Sequence, residues 1–207
     1  MMTNTNRRSK SEEKRQQILS AASELFLSKS FEGTSMDEVA VAAGVSKQTV
    51  YSHFGSKEEL FSAIIEYKCA IHDLTDDLFD KSRPVHDVLR ELAQHFTDLL
   101  MSQEAICIFR VCIADAAKSD KGRVAKLFVE AGPKRLTARF KHYLEEQNEM
   151  GKLHIDNPGF AAQQFLYMIK GEAYLLRTLG QADDHNLEDL PAYLDSCVSL
   201  FEKAYLE

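Results

Sequence analysis

The chain has no tryptophan, only four prolines and nine glycines in 207 residues, and no long apolar run. So few helix breakers leave room for many uninterrupted helices. No stretch reaches the roughly eighteen apolar residues that a membrane-spanning helix needs, so no membrane association is expected. The first ten residues lack the apolar centre of a secretory signal, so a cytoplasmic location is expected. The four cysteines, Cys69, Cys107, Cys112 and Cys197, show no Cys-x-x-Cys spacing. In a reducing compartment they read as small buried apolar residues. Cys107 and Cys112 fall on different faces of a helix and make poor disulfide partners; a thiol-sensing role for one cysteine is the alternative. The seven histidines are scattered, with no second ligand type at helical spacing. Neither a metal nor a cofactor is expected. Zinc-protease, nucleophile-elbow and phosphate-loop motifs are missing, as is any carboxylate pair with a plausible partner, so the chain is not expected to be an enzyme.

Positive charge is also short, the net charge being −7. Its distribution is uneven. Residues 1–57 carry eight Lys and Arg against six Asp and Glu, whereas the remainder carries seventeen against twenty-six. A weakly basic head on an acidic body can still dock on phosphate through local contacts. Arg7, Arg8, Lys10, Lys14 and Arg15 are concentrated at the start. Residues 1–13 read as a flexible basic arm, which either adds non-specific or minor-groove affinity for DNA or serves as a solubilising tail. The hydrophobic content of 44% suffices for a sizeable core, or for a small domain plus a larger one. The boundaries expected are a head at 14–57 and a body at 58–207.

The head carries the strongest local pattern. Ser35 followed by Glu38 is a capping box that starts a helix, and Gly44 suits the left-handed position after its last turn. Ser46 caps a next helix from Lys47, and Ser56 with Glu59 opens a third. Ile18, Ala22, Leu25 and Phe26 form the apolar stripe of a preceding helix, with Phe31 in the turn after it. Val39, Ala40 and Ala43 supply one face of the second helix, and Val45, Val50 and Phe54 anchor the third. That leaves Lys47, Gln48, Thr49, Tyr51, Ser52 and His53 outward, a polar set equipped to reach base edges and phosphates. Two short helices joined by a Gly-containing turn, the second polar on one face, predict a helix-turn-helix that enters the major groove of double-stranded DNA.

Residues 14–61 resemble the DNA-binding domain of TetR-type transcriptional regulators. The pattern runs through Ile18-Leu19, Ala22, Leu25-Phe26, Phe31, Gly33-Thr34-Ser35, Val39-Ala40, Ala43-Gly44-Val45, Val50-Tyr51, His53-Phe54 and Lys57-Glu58-Glu59-Leu60. Ala131-Gly132-Pro133, Gly151-Lys152-Leu153, Ala161-Ala162, Phe165, Gly171-Glu172 and Gly180 resemble, more loosely, the AefR-like branch of C-terminal domains. The resemblance implies that Thr49, Tyr51, His53 and Lys57 contact phosphate or base edges and that Lys47 and Gln48 read bases. Tyr51 and Lys57 would mainly position the head, and Ser52 is short for direct base contact. Thr34 and Ser35 would touch backbone phosphate. It further implies a homodimer in which residues 158–180 and 187–205 pair with their copies in a four-helix interface.

Beyond residue 57 the apolar spacing predicts helices throughout, about nine in the whole chain, and the fold class all-α. One helix runs from Ser56 to about Asp80 through Leu60, Ile64, Tyr67, Ile71, Leu74 and Leu78. Others are expected after Pro84, over 103–117, over 121–150 with a break at Gly132-Pro133, from Asn157-Pro158 to about Leu179, and from Asn186 onward. Phe96, Phe109, Phe128, Phe140, Phe165, Tyr167 and Tyr174 are candidates to line an apolar ligand cavity, with Arg110, Gln164, His95 or His142 as orienting polar groups; plain core is the alternative for each. The function expected is a ligand-responsive regulator, a repressor that binds a palindromic operator as a homodimer and is released by an unidentified small molecule. The alternative is a TetR-like DNA binder without an inducer, acting as an activator or in the nucleoid.

Overall fold

The computed structural model describes residues 3–117, 122–182 and 188–206, with residues 3–9 as backbone only. Regular structure is helical throughout: α1 (Thr3–Lys29), α2 (Met36–Ala42), α3 (Lys47–Phe54), α4 (Lys57–Ile71), a 3-10 turn (Asp76–Phe79), α5 (Val85–Met101), α6 (Gln103–Ala116), α7 (Arg123–Ala131), α8 (Pro133–Glu149), α9 (Pro158–Met168), α10 (Gly171–Leu179) and α11 (Leu190–Tyr205). No strand occurs among the described residues. The fold is all-α.

The chain separates into two compact units. One comprises Met1–Tyr67 with Val111–Ala131, the other Lys68–Arg110 with Gly132–Glu207. The first unit thus takes in residues 111–131, which lie well beyond the expected boundary at residue 57. Within that unit Arg123, at the start of α7, pairs with Glu58 in the first turn of α4. The buried Asp115 carboxylate accepts from the backbone N–H groups of Val124 (2.9 Å) and Ala125 (3.3 Å), capping α7 from the end of α6.

The head core is built as its apolar spacing implied. Ile18, Leu19, Ala22, Phe26, Val39, Val50, Phe54 and Leu60 are buried. Phe26, Phe31 and Phe61 form a ring triad with centroids 5.3 to 5.8 Å apart, in the tilted and edge-on arrangements that suit aromatic quadrupoles. Gly44 has φ +65°, and the bonds Val45 N–H to Ala40 O (3.0 Å) and Gly44 N–H to Val41 O (3.1 Å) close α2 as a Schellman turn. With no Gly or Pro between Thr3 and Lys29, α1 begins at Thr3, so helical backbone covers most of the segment expected as an arm. The side chains of Arg7 and Arg8 lie outside the described residues.

In the second unit Leu74, Leu89, Leu92, Phe140, Tyr143, Leu144, Phe165, Leu166, Leu194, Val198 and Phe201 belong to one continuous core. α8 packs on α9, and α5 packs on α11. Two expected helices are interrupted. α4 stops at Ile71 because Asp73 takes a left-handed conformation (φ +53°) and Leu74 N–H turns back to Cys69 O (3.0 Å). Leu74 and Leu78 keep their apolar spacing because they reach the core from the turn that follows. The expected helix from 158 breaks between Met168 and Gly171, where Gly171 has φ +56°. A side chain there would also collide with the Tyr193 ring, 2.8 Å from the position of a Cβ. Tyr193 donates its hydroxyl proton to Met168 O (2.6 Å), satisfying a carbonyl that the break would otherwise orphan. Asn186, expected to open the last helix, lies outside the described residues.

Candidate nucleic-acid interface

Three caps set the geometry of α2 to α4. Ser35 Oγ accepts from Glu38 N–H (3.2 Å) while the Glu38 carboxylate accepts from Ser35 N–H (2.9 Å), both halves of a capping box. Lys29 donates to Glu38 at 2.7 Å. That ammonium, then the Ser35 bonds, hold the Glu38 carboxyl down at about 2. Ser46 Oγ accepts from Thr49 N–H (3.1 Å) at the start of α3, and Ser56 Oγ accepts from Glu59 N–H (3.2 Å) at the start of α4.

α3 is held from one side only. Val50 and Phe54, four residues apart, are buried beneath it. Gln48 and Ser52 lie on the opposite face, Lys47 and Tyr51 flank the buried pair, and all four are exposed. The Lys47 ammonium donates to Asp37 (2.9 Å), which holds its proton more firmly, and lies 5.9 Å from the Tyr51 ring centre. Ser52 Oγ donates to Thr49 O at 2.9 Å. Thr49 is half-buried, its hydroxyl 2.8 Å from that of Ser46. His53 is half-buried against Phe54, with ring centres 6.0 Å apart. Ser35 is exposed but committed to its capping box.

Two expected contact residues are placed differently. Thr34 is 2% exposed, and its hydroxyl donates to Ser30 O (2.8 Å) and Leu25 O (3.2 Å), tying the α1–α2 connection. The Lys57 ammonium donates to Phe31 O (2.8 Å) and Thr34 O (3.0 Å) and sits 4.4 Å from the Phe31 ring centre. Both side chains are occupied inside the head, because a loop bent tightly around Phe31 leaves carbonyls that need donors.

The candidate ligand residues do not form one group. Phe140 and Phe165 are fully buried, 5.5 Å apart, and stack into the core with Tyr143 and Phe201. Phe128 belongs to the first unit. Arg110 donates to Thr178 O (2.9 Å) and Arg177 O (3.3 Å), so its guanidinium closes the end of α10. His95 Nδ1 is buried with no hydrogen-bond partner among the described residues. Phe109 lies 5.8 Å from Tyr174, and Phe96 lines the approach to Lys170, whose ammonium is 6.0, 4.1 and 5.6 Å from the ring centres of Phe96, Tyr167 and Tyr174. Sequence reasoning missed Lys170. Its signal was a lysine flanked by tyrosines at i−3 and i+4 in an otherwise apolar segment. Burial pushes the Cys112 thiol up to about 12, so that cysteine is an inert core residue. Among the described residues no group of histidine, cysteine and carboxylate side chains could hold a metal.

Comparison with known proteins agrees with this geometry. Residues 18–64 match the model of the bacterial regulatory proteins of the tetR family, and residues 87–207, more than half of the chain, match the AefR-like transcriptional repressor C-terminal domain. The flavonoid-responsive regulator FrrA is 31% identical, covering 93% of this chain and 97% of that one, with a TM-score of 0.70. A structure described as a TetR-family regulator from Mesorhizobium loti MAFF303099 is 27% identical over 95% of this chain and 98% of that one, with a TM-score of 0.73. The transcriptional activator FasR of Mycolicibacterium smegmatis is 47% identical over 55 residues, a match that spans 27% of this chain and 25% of that protein. A capped helix-turn-helix with a polar outer face, joined to a helical body of this type, places the chain in the TetR family of DNA-binding transcriptional regulators.

Proposed function

We propose that the protein is a homodimeric repressor that binds a palindromic operator through α3 and leaves it when a small molecule binds the second unit. The observation that carries this reading is the outer face of α3, where Lys47, Gln48, Tyr51 and Ser52 stand exposed on a helix fixed from beneath by Val50 and Phe54. Lys47 and Gln48 are assigned to base edges and Tyr51 to phosphate, with Thr49 and His53 as shorter-range neighbours. Thr34, Ser35 and Lys57 act by holding the connections that present α3, and Ser35 lends a backbone contact to phosphate at most.

One head reads too few base pairs for useful specificity, so two copies are needed. Phe160, Tyr167, Leu175, Leu179, Tyr193 and Leu200, on α9, α10 and α11, are 40% to 71% exposed in the single chain. An apolar face of that extent suits burial against a second copy. FrrA is flavonoid-responsive by its name, which supports a small-molecule effector here. An effector that prefers one of two states lowers DNA affinity by its differential affinity alone.

Activation in place of repression is a second reading, favoured by the match to the activator FasR, though that match covers only the head. Selection of bound DNA from fragments of the source genome tests both. Recovery of one or a few palindromic sites supports a specific dimeric regulator, and reporter output from the adjacent promoter gives its sign. Recovery without sequence preference refutes the operator reading.

A further inference from the structure

Lys170 sits at the break between α9 and α10, its own backbone still helical and the departure coming at the next residue, Gly171 (φ +56°). Its ammonium is half-buried and faces three aromatic rings, Tyr167 at 4.1 Å, Tyr174 at 5.6 Å and Phe96 at 6.0 Å. It makes no hydrogen bond or ion pair with the described residues, and burial alone lowers its pKa. An ammonium has three donors and no acceptor. Ring faces offset part of the cost of withdrawing it from water, but they leave those donors without an acceptor. Arg110, in the same unit, is occupied with the carbonyls that end α10.

We propose that Lys170 is the anchor for an effector that carries an anionic group on an aromatic body, an aromatic carboxylate or phenolate. The anion takes the donors that Lys170 leaves unused, and the body lies among Phe96, Tyr167, Tyr174 and the Phe109 ring packed 5.8 Å from Tyr174. A cationic effector is excluded from this place, because Lys170 already supplies the positive charge and a second would be repelled. Tyr167 is 71% exposed on the face assigned to pairing, so dimerisation would draw the site further from water and strengthen the preference for an anion. This inference rests on the small-molecule reading of the second unit.

The test uses three naphthalene probes of equal shape: the carboxylate, its neutral carboxamide and the matching trimethylammonium. Binding to the full-length protein is measured by calorimetry, and release of the selected genomic duplex by fluorescence anisotropy. The wild type should bind the carboxylate at least about tenfold more tightly than the carboxamide, the size of one charge-assisted hydrogen bond, and should not bind the ammonium. K170M should bind both uncharged and acidic probes alike, and K170R should restore the preference. Equal affinity for acid and amide in the wild type, an unchanged preference in K170M, or no binding of any probe overturns the assignment. Failure of the wild type to bind the duplex before any probe is added would instead overturn the operator reading, while DNA binding with no charge preference among the probes overturns only the anion site. Unchanged circular dichroism of K170M separates these results from a merely structural role at the helix break.

Discussion

Tyr51 stands 43% exposed on α3, above buried Val50 and Phe54, so its removal alters what the helix offers a partner and little of what holds the head together. Tyr51→Ala should abolish binding to the selected duplex in a gel-shift titration while leaving circular dichroism and the mass in solution unchanged; full retained affinity would refute its assigned role. Lys57 should behave oppositely. Its ammonium is spent on two carbonyls and the Phe31 ring, so Lys57→Met should cost about 1.5–3 kcal/mol of stability in urea unfolding, the range for hydrogen bonds to a charged group. Sequence resemblance put both residues in one class. Only their burial separates a side chain aimed outward from one folded back onto its own loop. Phe140 makes the same point in the body: it is fully buried among aromatic rings, and Phe140→Ala should destabilise by about 3–5 kcal/mol in the same assay.

Single elements were legible where their signals are local. The Ser35–Glu38 box, the Ser46 cap, Gly44 after α2, the break at Gly132-Pro133 and the Asn157 cap all work through atoms within a few residues, and each is present. Ser35→Ala should cost about 1 kcal/mol. The Glu38 carboxyl, held at about 2 against its ordinary 4.5, adds a pH dependence of definite sign. A depressed pKa stabilises the fold fully above 4.5, and that contribution is lost as pH falls toward about 2. The stability difference between wild type and Glu38→Gln should therefore shrink across that window; a constant difference would show that Glu38 acts without its charge. The elements misjudged were those whose apolar spacing runs on past the point where the helix ends. α4 was expected to reach Asp80 because Leu74 and Leu78 continue the spacing, yet a turn satisfies the same core contacts. α9 and α10 were expected as one helix, and the break at Gly171 is sustained by Tyr193, more than twenty residues away, whose hydroxyl meets the freed Met168 carbonyl.

For the molecule as a whole, the proposed docking through phosphate contacts requires binding to weaken steeply as salt rises, since each neutralised phosphate releases counterions. A flat dependence in anisotropy titrations would argue against it. Pairing of two copies is tested by Leu200→Glu, which places a charge on the exposed face of α11, where Leu200 is 58% accessible in the single chain. The expected result is a monomer by analytical ultracentrifugation, with intact helicity and loss of tight operator binding. A variant that stays dimeric would move the interface elsewhere.

What the sequence determined by itself was the all-α class, the helix-turn-helix and the polar residues of α3, because caps, turns and apolar spacing act over a few residues and a resemblance spanning the head repeats them together. Tertiary structure alone decided which polar groups remain available. Thr34, Lys57 and Arg110 are consumed by carbonyls of turns and helix ends, Phe140 and Phe165 by the core, and Lys170 is left among rings with its donors unmatched. The physical reason is that a hydrogen-bond donor's fate depends on which acceptor folding brings within about 3 Å, and no local pattern carries that information.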